Sequence, residues 1–200
     1  MRRFTGKLLM LVAVFCAIAA MAAAQDKPAA AATMSVPGPR GEFLDEVGYY
    51  EQRFTRLADA IPADKYTWRP AEGVRSIGEV YAHVVSANYA FAKMLGTDFP
   101  AGVDPKAIVA TAGDKAKIVQ ELKDSFAHMR AAILAIKDSD LEKPMKLPGN
   151  RQSTLRGAFI FITGHYGEHL GQSIAYARQV GIVPPWTEER MKQEAAKPKQ

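Results

Sequence analysis

The sequence predicts an all-α protein folded as a four-helix bundle. Four segments place apolar residues three and four positions apart, which is the spacing that puts them on one face of a helix. Capping residues precede three of these segments, and no segment shows the convincing two-residue alternation of a half-buried strand. With 48% hydrophobic and 24% charged residues, the chain of 200 residues can bury a core and is not disordered throughout.

The first predicted helix covers residues 42–60 and is ended by Pro62. The residues of its apolar stripe are Phe43, Val47, Tyr50, Phe54, Leu57 and Ile61. The second helix is predicted to begin at a capping box, in which the Ser76 hydroxyl and the Glu79 carboxylate each accept a hydrogen bond from the other residue's amide. It is expected to run to about Leu95.

The third and fourth helices follow the same rules. Asp114 is predicted to cap the third helix. The apolar positions of that helix are Val119, Leu122, Phe126, Met129, Ile133 and Ile136. The fourth helix is predicted to begin near Ser153 or Thr154 and to run to about Val180, with Gly181 as its C-terminal stop.

The amino-terminal segment has the organisation of a secretory signal. Basic residues at positions 2, 3 and 7 precede an apolar run from Leu8 to Ala20, and Ala22-Ala23-Ala24 has the form of a signal-peptidase site. An uncleaved membrane anchor is the alternative, but the run is short for a span of about 20 residues. We therefore expect residues 1–24 to be removed and the mature protein to be exported, to the periplasm or beyond, without a membrane attachment.

The mature chain is expected to have three parts. These are a flexible leader at residues 25–38, a helical bundle at residues 39–186 and a disordered charged tail at residues 187–200. The long connections at residues 64–75 and 96–113 are expected to shape one end of the bundle.

Removal of the signal changes the charge argument. The formal net charge of +5 falls to +2, because three of the 26 basic residues and none of the 21 acidic residues lie in the signal. Such a small, dispersed surplus argues against a nucleic-acid partner. The one cysteine, Cys16, lies in the signal as well, so thiolate chemistry and cysteine zinc sites are excluded from the mature chain.

The positions of the four histidines can be tested against the helix period. His165 and His169 are four residues apart on the fourth helix, so both leave the same, mostly apolar face one turn apart. His83 shares a face of the second helix with Val80 and Ala87 and is expected to face the pair. Three imidazoles with an open fourth position are typical of a catalytic or loosely held zinc-like site.

Other interpretations of these histidines stay open at this point. A single histidine on an apolar helix face is most often a hydrogen-bonded core residue. His128 lies away from the apolar stripe of the third helix, so it is predicted to be a surface residue without a ligand role. Residues 165–169 also have the H-x-x-E-H spacing of inverted zincins, in which the glutamate activates a zinc-bound water. That mechanism needs a further carboxylate ligand from a later helix, and beyond Val180 the sequence offers only Glu188, Glu189 and Glu194, in a segment predicted to be a solvated tail.

Several of these segments together resemble the DinB-like (DinB/YfiT-type) superfamily of metal-binding four-helix bundles. They are Trp68-Arg69-Pro70, residues 76–79 with His83, and the run from His165 to Pro185, which is the most specific part. The resemblance covers about residues 40–186 and implies an up-up-down-down type of bundle with a long crossover connection. It also implies a divalent metal, zinc first and nickel or iron as alternatives, held by three histidines that map onto His83, His165 and His169.

The resemblance further implies homodimers and, for some members, thiol-dependent transfer reactions. The thiols of that branch are cytosolic, so an exported protein would lack its expected cosubstrate. The first and fourth predicted helices carry apolar side chains on more than one face, which leaves room for a dimer interface. Burial of these side chains inside the same chain is the alternative. These residues are Tyr49, Tyr50, Phe159 and Ile160.

Two functions follow from the sequence. The first is an exported metal-dependent hydrolase or transferase with an unknown small-molecule substrate, in which Glu168, Gln172 or Tyr81 orients water or substrate. The alternative is a non-catalytic metal-binding or ligand-binding bundle. The competing role for those three residues is to form hydrogen bonds that hold the metal ligands or the fold in place.

Overall fold

The computed structural model describes residues 36–197, so the signal predicted at residues 1–24 and most of the predicted leader lie outside the described residues. The described part consists mainly of helices with one small antiparallel sheet. In chain order, its elements are α1 (Gly38–Ala60), α2 (Ile77–Met94), α3 (Lys115–Ala135), β1 (Pro144–Leu147), β2 (Arg151–Thr154), α4 (Leu155–Gln179) and α5 (Pro185–Ala195). Helices α1 to α4 form the predicted four-helix bundle, and none of the helices between residues 36 and 197 is long and apolar enough to cross a membrane.

The predicted caps set the helix boundaries. Ser76 and Glu79 form the capping box of α2, and Asp114 and Thr154 accept hydrogen bonds from the first turns of α3 and α4. Helix α1 begins at Gly38, four residues before the predicted start. The proline in its first turn is tolerated, because the amide proton that a proline lacks would have no partner within the helix at that position.

Helices α1 and α4 run parallel. The ring of Phe43 stacks on Phe159 with centroids 4.3 Å apart, and further along both helices Tyr50 lies 5.4 Å from Tyr166. Phe159 is therefore buried inside its own chain, which was the alternative to a role in a dimer interface.

Helix α2 runs antiparallel to α4. Phe91 near the end of α2 contacts Phe161 near the start of α4, with ring centroids 5.8 Å apart. Trp68, just before α2, lies 5.6 Å from Tyr176 near the end of α4.

Helix α3 runs antiparallel to α1. The Lys115 ammonium at its start donates to the Asp59 carbonyl oxygen, and Arg40 donates to the Ile136 carbonyl oxygen at its end. The bundle is therefore up-down-down-up, which corrects the up-up-down-down order that the resemblance implied. Because α2 and α3 are parallel, residues 95–114 must run the length of a helix of about 27 Å, and they form the long crossover connection.

The β1–β2 hairpin is a feature that the sequence analysis missed. Its turn uses left-handed backbone at Gly149 (φ 75°) and Asn150 (φ 59°), both residues that tolerate this conformation. Each strand has four residues, and Leu147 is the one fully buried side chain between them. So short a pattern carries no recognisable alternation.

The predicted disordered tail is also corrected in part, because its first residues continue helix α5 to Ala195. Arg53 of α1 lies over the ring of Trp186 at 4.3 Å, and Arg56 forms an ion pair with Glu189. Contacts from basic residues of α1 therefore order a segment whose charge alone predicts a solvated chain.

The two long connections meet at the start of α2. The amide of Gly78 donates to the Tyr66 carbonyl oxygen, and a Cβ at position 78 would lie 1.8 Å from the carbonyl oxygen of Ala112. Only glycine allows this approach, which fixes the crossover connection beside the helix that carries His83.

Candidate metal centre

The structure brings together the three histidines that the helical wheels predicted. His165 and His169 lie one turn apart on α4, with ring centroids 4.5 Å apart, and His83 of α2 faces both. The His83 ring lies 5.2 Å from His165 and 4.6 Å from His169. One ligand nitrogen from each ring lies within 4.8 Å of the other two, so the three residues could hold a metal ion.

Packing beside the histidines fixes their helices in register. Phe91 of α2 presents its ring edge-on to His165 at 5.0 Å, and it contacts Phe161 one turn earlier on α4. All three histidines are half-buried, so the rings are held by the seam between α2 and α4 while one side of the cluster stays accessible to solvent.

The hydrogen bonds of the cluster indicate which nitrogens are available. The Nε2 atoms of His83 and His165 lie 3.1 Å apart. Nδ1 of His169 donates to Oε1 of Gln172 over 2.9 Å, and Nε2 of Gln172 donates to the Tyr176 hydroxyl over 3.0 Å. In this assignment of the tautomer, Gln172 leaves the Nε2 lone pair of His169 free to bind a cation.

Burial keeps two of the rings in the form that binds metals. Burial is the largest cause that lowers the pKa of His83 to about 4, and the charges of Arg75 and His169 are the smaller causes. Burial is also the largest cause that lowers the pKa of His165 to about 3, and the charges of His169, His83 and Arg75 are the smaller causes. Both imidazoles are therefore neutral at pH 7, and neutral imidazole is the form that ligates.

The geometry of the cluster fits a first-row divalent ion. Two nitrogens that are each about 2.0–2.1 Å from one tetrahedral zinc lie about 3.4 Å from each other. The 3.1 Å between the Nε2 atoms of His83 and His165 is close to this value. Imidazole ligands suit zinc, nickel and iron alike, so the donor set does not choose between them.

The three residues predicted to orient water or substrate have different positions. Glu168 is exposed and lines the same groove as His165. Gln172 is engaged with His169 and Tyr176, as a positioning residue would be. Tyr81 is fully buried between Phe54 and Tyr66, and burial, followed by Tyr66, raises its pKa well above the usual value, so it offers no base at neutral pH.

His128 lies apart from the three-histidine cluster, on α3. The prediction of a surface residue needs a correction, because the ring is half-buried and lies 5.4 Å from Tyr89. Its Nε2 is buried and has no hydrogen-bond partner among residues 36–197. The ring contacts a neighbouring aromatic residue, a contact that the wheel of one helix cannot reveal.

Two features near the cluster were missed by the sequence analysis. Arg75, one residue before the α2 cap, is close enough for its charge to lower the pKa of His83 and His165. A groove of about 690 Å³ between the hairpin and α4 ends at His165 and includes Arg151. The position of Arg75 next to the capping box was a usable signal, whereas the groove depends on a hairpin that the sequence pattern does not indicate.

Comparisons with known proteins bear on the family and the fold of the chain. Residues 50–173 match the profile of the DinB superfamily. No similar sequence was found among curated proteins.

Two solved structures share the fold. A DinB-like protein from Bacillus cereus ATCC 10987 superposes with a TM-score of 0.62 at 19% identity, covering 72% of this chain and 93% of that chain. YfiT from Bacillus subtilis, described as a probable metal-dependent hydrolase with an unusual four-helix bundle topology, superposes with a TM-score of 0.57 at 13% identity, covering 79% of this chain and 95% of that chain.

Proposed function

The chain belongs to the DinB superfamily, and we propose that it binds one divalent metal ion through His83, His165 and His169 and uses that ion in hydrolysis. Zinc is the expected metal, with nickel and iron as alternatives. The observation that carries the proposal is the convergence of three imidazoles from two helices on one point, with a ligand nitrogen of each within 4.8 Å of the others.

The accessibility of the cluster supports a reaction over a purely structural metal. Structural zinc sites are closed by four protein ligands, whereas catalytic sites keep three and leave a position for water or substrate. Among the described residues, the cluster contains three histidines and no carboxylate or further ligand. A groove leads to His165 from the surface, so a substrate has a path to the site.

The metal ion and the residues around it would have separate roles in the reaction. When bound, the ion would supply Lewis acidity, which polarises a carbonyl or phosphoryl oxygen. Gln172, itself held by Tyr176, orients the His169 ring. The exposed carboxylate of Glu168 lies on the groove wall beside His165 and is the residue we assign to accept a proton from the attacking water.

Two arguments favour hydrolysis over transfer. YfiT, which shares the fold, is described as a probable metal-dependent hydrolase. A thiol-dependent transferase would need a cytosolic cosubstrate, and we propose that this protein is exported. Water is available on either side of the membrane.

The test begins with untagged protein, stripped by a chelator and titrated with zinc, nickel and iron(II). We expect one equivalent of metal per chain, measured by elemental analysis after gel filtration. Less than a tenth of an equivalent with every metal would refute the site.

The reaction is tested with a panel of chromogenic esters, anilides and phosphate esters, using metal-free and metal-loaded protein. We expect hydrolysis that appears with the metal and falls about 100-fold or more in Glu168→Gln at unchanged metal content. Arg178→Gln, an exposed change on the same helix outside the groove, is the control. Full metal loading without hydrolysis of any of these bonds would favour the non-catalytic metal-binding bundle.

We also propose that the protein is exported and assembles as a homodimer. The basic start, apolar run and Ala-x-Ala site support export, and intact mass of the exported protein should correspond to a chain that begins at Gln25. Tyr49, which is 47% exposed on α1 and does not line the groove beside His165, supports a contact between copies. Light scattering should give twice the chain mass, and Tyr49→Glu should yield monomers.

A further inference from the structure

We infer that the groove between the β1–β2 hairpin and α4 selects an amphipathic carboxylate, with the anionic group at Arg151 and the apolar body lying along Phe161 toward His165. The inference rests on the proposed metal centre for the reaction at the far end of the groove. Apart from His165, the groove is built by residues that do not belong to the histidine cluster.

The size and lining of the groove suit a small organic ligand. Its volume of about 690 Å³ lies within the range of about 300–1,000 Å³ that is usual for ligand pockets. Three kinds of residue line it: apolar side chains, small residues that leave space, and a few polar groups. They are Leu147, Arg151, Ser153, Gly157, Ile160, Phe161, Gly164, His165 and Glu168.

The charges are separated along the groove. Arg151, at the start of β2, marks the hairpin end, and its guanidinium makes no hydrogen bond or ion pair with another residue of the described chain. Glu168 lies at the opposite end, within one turn of His165. In the metal-free protein, an anion is therefore attracted to Arg151 at the hairpin end and disfavoured beside Glu168 at the histidine end, which sets the direction of a ligand there.

A chain of aromatic contacts, of which Phe161 lines the groove and Phe91 lies buried behind it, connects the two ends. The Arg151 guanidinium lies over the Phe161 ring at 5.3 Å, and the Phe161 ring packs on Phe91 at 5.8 Å. Phe91 in turn contacts His165 at 5.0 Å. Since Phe161 and His165 are separated by about one helical turn of 5.4 Å, an apolar body of a few carbon atoms spans the distance from Phe161 to the histidines.

The single cation favours a carboxylate over a more highly charged phosphate group. One guanidinium fork matches one carboxylate with two parallel hydrogen bonds. The nearby helix terminus offers little more, because the Gly157 amide at the start of α4 already donates to the Thr154 hydroxyl over 3.1 Å. The groove therefore holds one monovalent anion next to an apolar surface.

The probes for the test are 4-phenylbutyrate and its neutral amide, with binding measured by calorimetry on the metal-free full-length mature protein. We expect Arg151→Gln to weaken binding of the carboxylate by about tenfold or more and to leave binding of the amide unchanged. Arg178→Gln, an exposed arginine of α4 outside the groove, should change neither. Equal losses for both probes, or no binding of the carboxylate by the wild-type protein, would overturn the inference.

Two glycines of α4 provide a matched pair that fills or spares the groove. Gly164 lines the groove and Gly171 does not, yet both are exposed and a Cβ at either position would meet nothing within 4 Å. Gly164→Leu should abolish binding of both probes, whereas Gly171→Leu should preserve it. The same effect from both variants would place the probe outside the groove and contradict the inference.

The orientation is tested by nuclear relaxation with Mn²⁺-loaded protein. We expect the ring protons of 4-phenylbutyrate to relax faster than the methylene protons beside the carboxylate, because the ring end lies toward the histidines. The reverse order would mean that the carboxylate binds the metal, and it would overturn the assignment of Arg151. If Mn²⁺ does not bind, the proposed metal centre is refuted, and the calorimetry on metal-free protein still shows whether the groove binds the carboxylate.

Discussion

Two polar clusters lie side by side in this bundle, and they satisfy their polar atoms differently. Tyr166 follows His165 directly, but its hydroxyl points into the core, where it donates to Oδ1 of Asn88 over 2.8 Å. The Asn88 amide donates to the Ser125 hydroxyl over 3.0 Å, and Ser125 donates to the Leu122 carbonyl oxygen over 3.0 Å. The residues of this core network come from α2, α3 and α4 and are completely buried.

The histidine cluster, by contrast, keeps unused lone pairs. The Nε2 atoms of His83 and His165 face each other, and neutral tautomers can supply one proton between them at most. Nδ1 of His165, which carries the ring proton when the lone pair is on Nε2, is buried without a hydrogen-bond partner among residues 36–197. A network closed within the chain aligns helices, whereas a cluster of partly exposed lone pairs provides binding capacity for a cation.

The largest expected effect comes from removing a histidine of the cluster. His165→Ala or His169→Ala should weaken zinc binding by more than about 100-fold, because a ligand is lost outright and loss of an outer-shell partner alone already costs 10- to 100-fold. The core network is untouched, so the helical circular dichroism signal should persist. Elemental analysis measures the loss of metal, and circular dichroism of the same samples shows whether the helices persist.

A smaller loss of metal is expected from Gln172→Leu. This change keeps the side-chain size but removes the acceptor of the His169 Nδ1 proton, so the ring is no longer held in its ligating tautomer. We expect zinc affinity to fall about 10- to 100-fold, as measured by competition with a chromogenic chelator. Gln120→Leu on the exposed face of α3 is the matched control, and an equal loss there would contradict the positioning role.

The reverse pattern is expected in the core network. Tyr166→Phe leaves Oδ1 of Asn88 buried without its donor, which should lower the free energy of unfolding by about 1–3 kcal/mol. Zinc affinity should stay within about twofold of wild type. Urea denaturation of the metal-free protein and the chelator competition measure the two effects, and loss of zinc binding without loss of stability would show that the clusters are not separate.

Much of this arrangement follows from local sequence signals. Ser76, Asp114 and Thr154 mark helix starts through hydrogen bonds to amides three residues away, so they are readable without the tertiary structure. The i,i+4 spacing of His165 and His169 is equally local. The pairing with His83 required only that its apolar helix face turn inward.

The missed features depend on distant contacts. The hairpin is stabilised where it packs on α4, and α5 is ordered by arginines that lie more than 100 residues earlier in the chain. The role of Asn88 is hidden for the same reason, because its partners Ser125 and Tyr166 belong to other helices. The direction of α3 depends on the path of the crossover connection, which has no periodic pattern.

Acidity should act on the histidine cluster and not on the core network. The pKa of His83 is lowered to about 4 and that of His165 to about 3, so between these values and 6.5 the unfolded chain binds more protons than the folded chain. The contribution of these rings to the stability of the metal-free protein is therefore complete above pH 6.5 and declines as the pH falls toward 4 and 3. Tyr166, whose pKa burial raises, does not titrate in this range.

We expect the urea midpoint of the metal-free protein to fall between pH 7 and pH 5 by more than that of the double variant His83→Ala/His165→Ala. The difference should be smaller than the effect of Tyr166→Phe, because both rings are half-exposed and solvent screens their charge. Identical pH profiles for the two proteins would show that the rings are not held neutral by the fold.

The smallest effect is expected at His128, and it tests whether position or residue type determines metal binding. His128 is half-buried beside Tyr89, has one nitrogen without a partner among the described residues, and lies outside the cluster on α2 and α4. A lone imidazole offers one ligand, and a single ligand does not hold zinc against the chelator competition that three aligned rings withstand. His128→Ala should therefore retain one equivalent of zinc with affinity within about twofold of wild type, and its stability should change by no more than about 1 kcal/mol because only part of the ring is buried. If His128→Ala loses zinc while its circular dichroism spectrum and urea midpoint are unchanged, the metal is not held by the cluster. The histidine cluster would then not be the cation-binding counterpart of the core network around Tyr166.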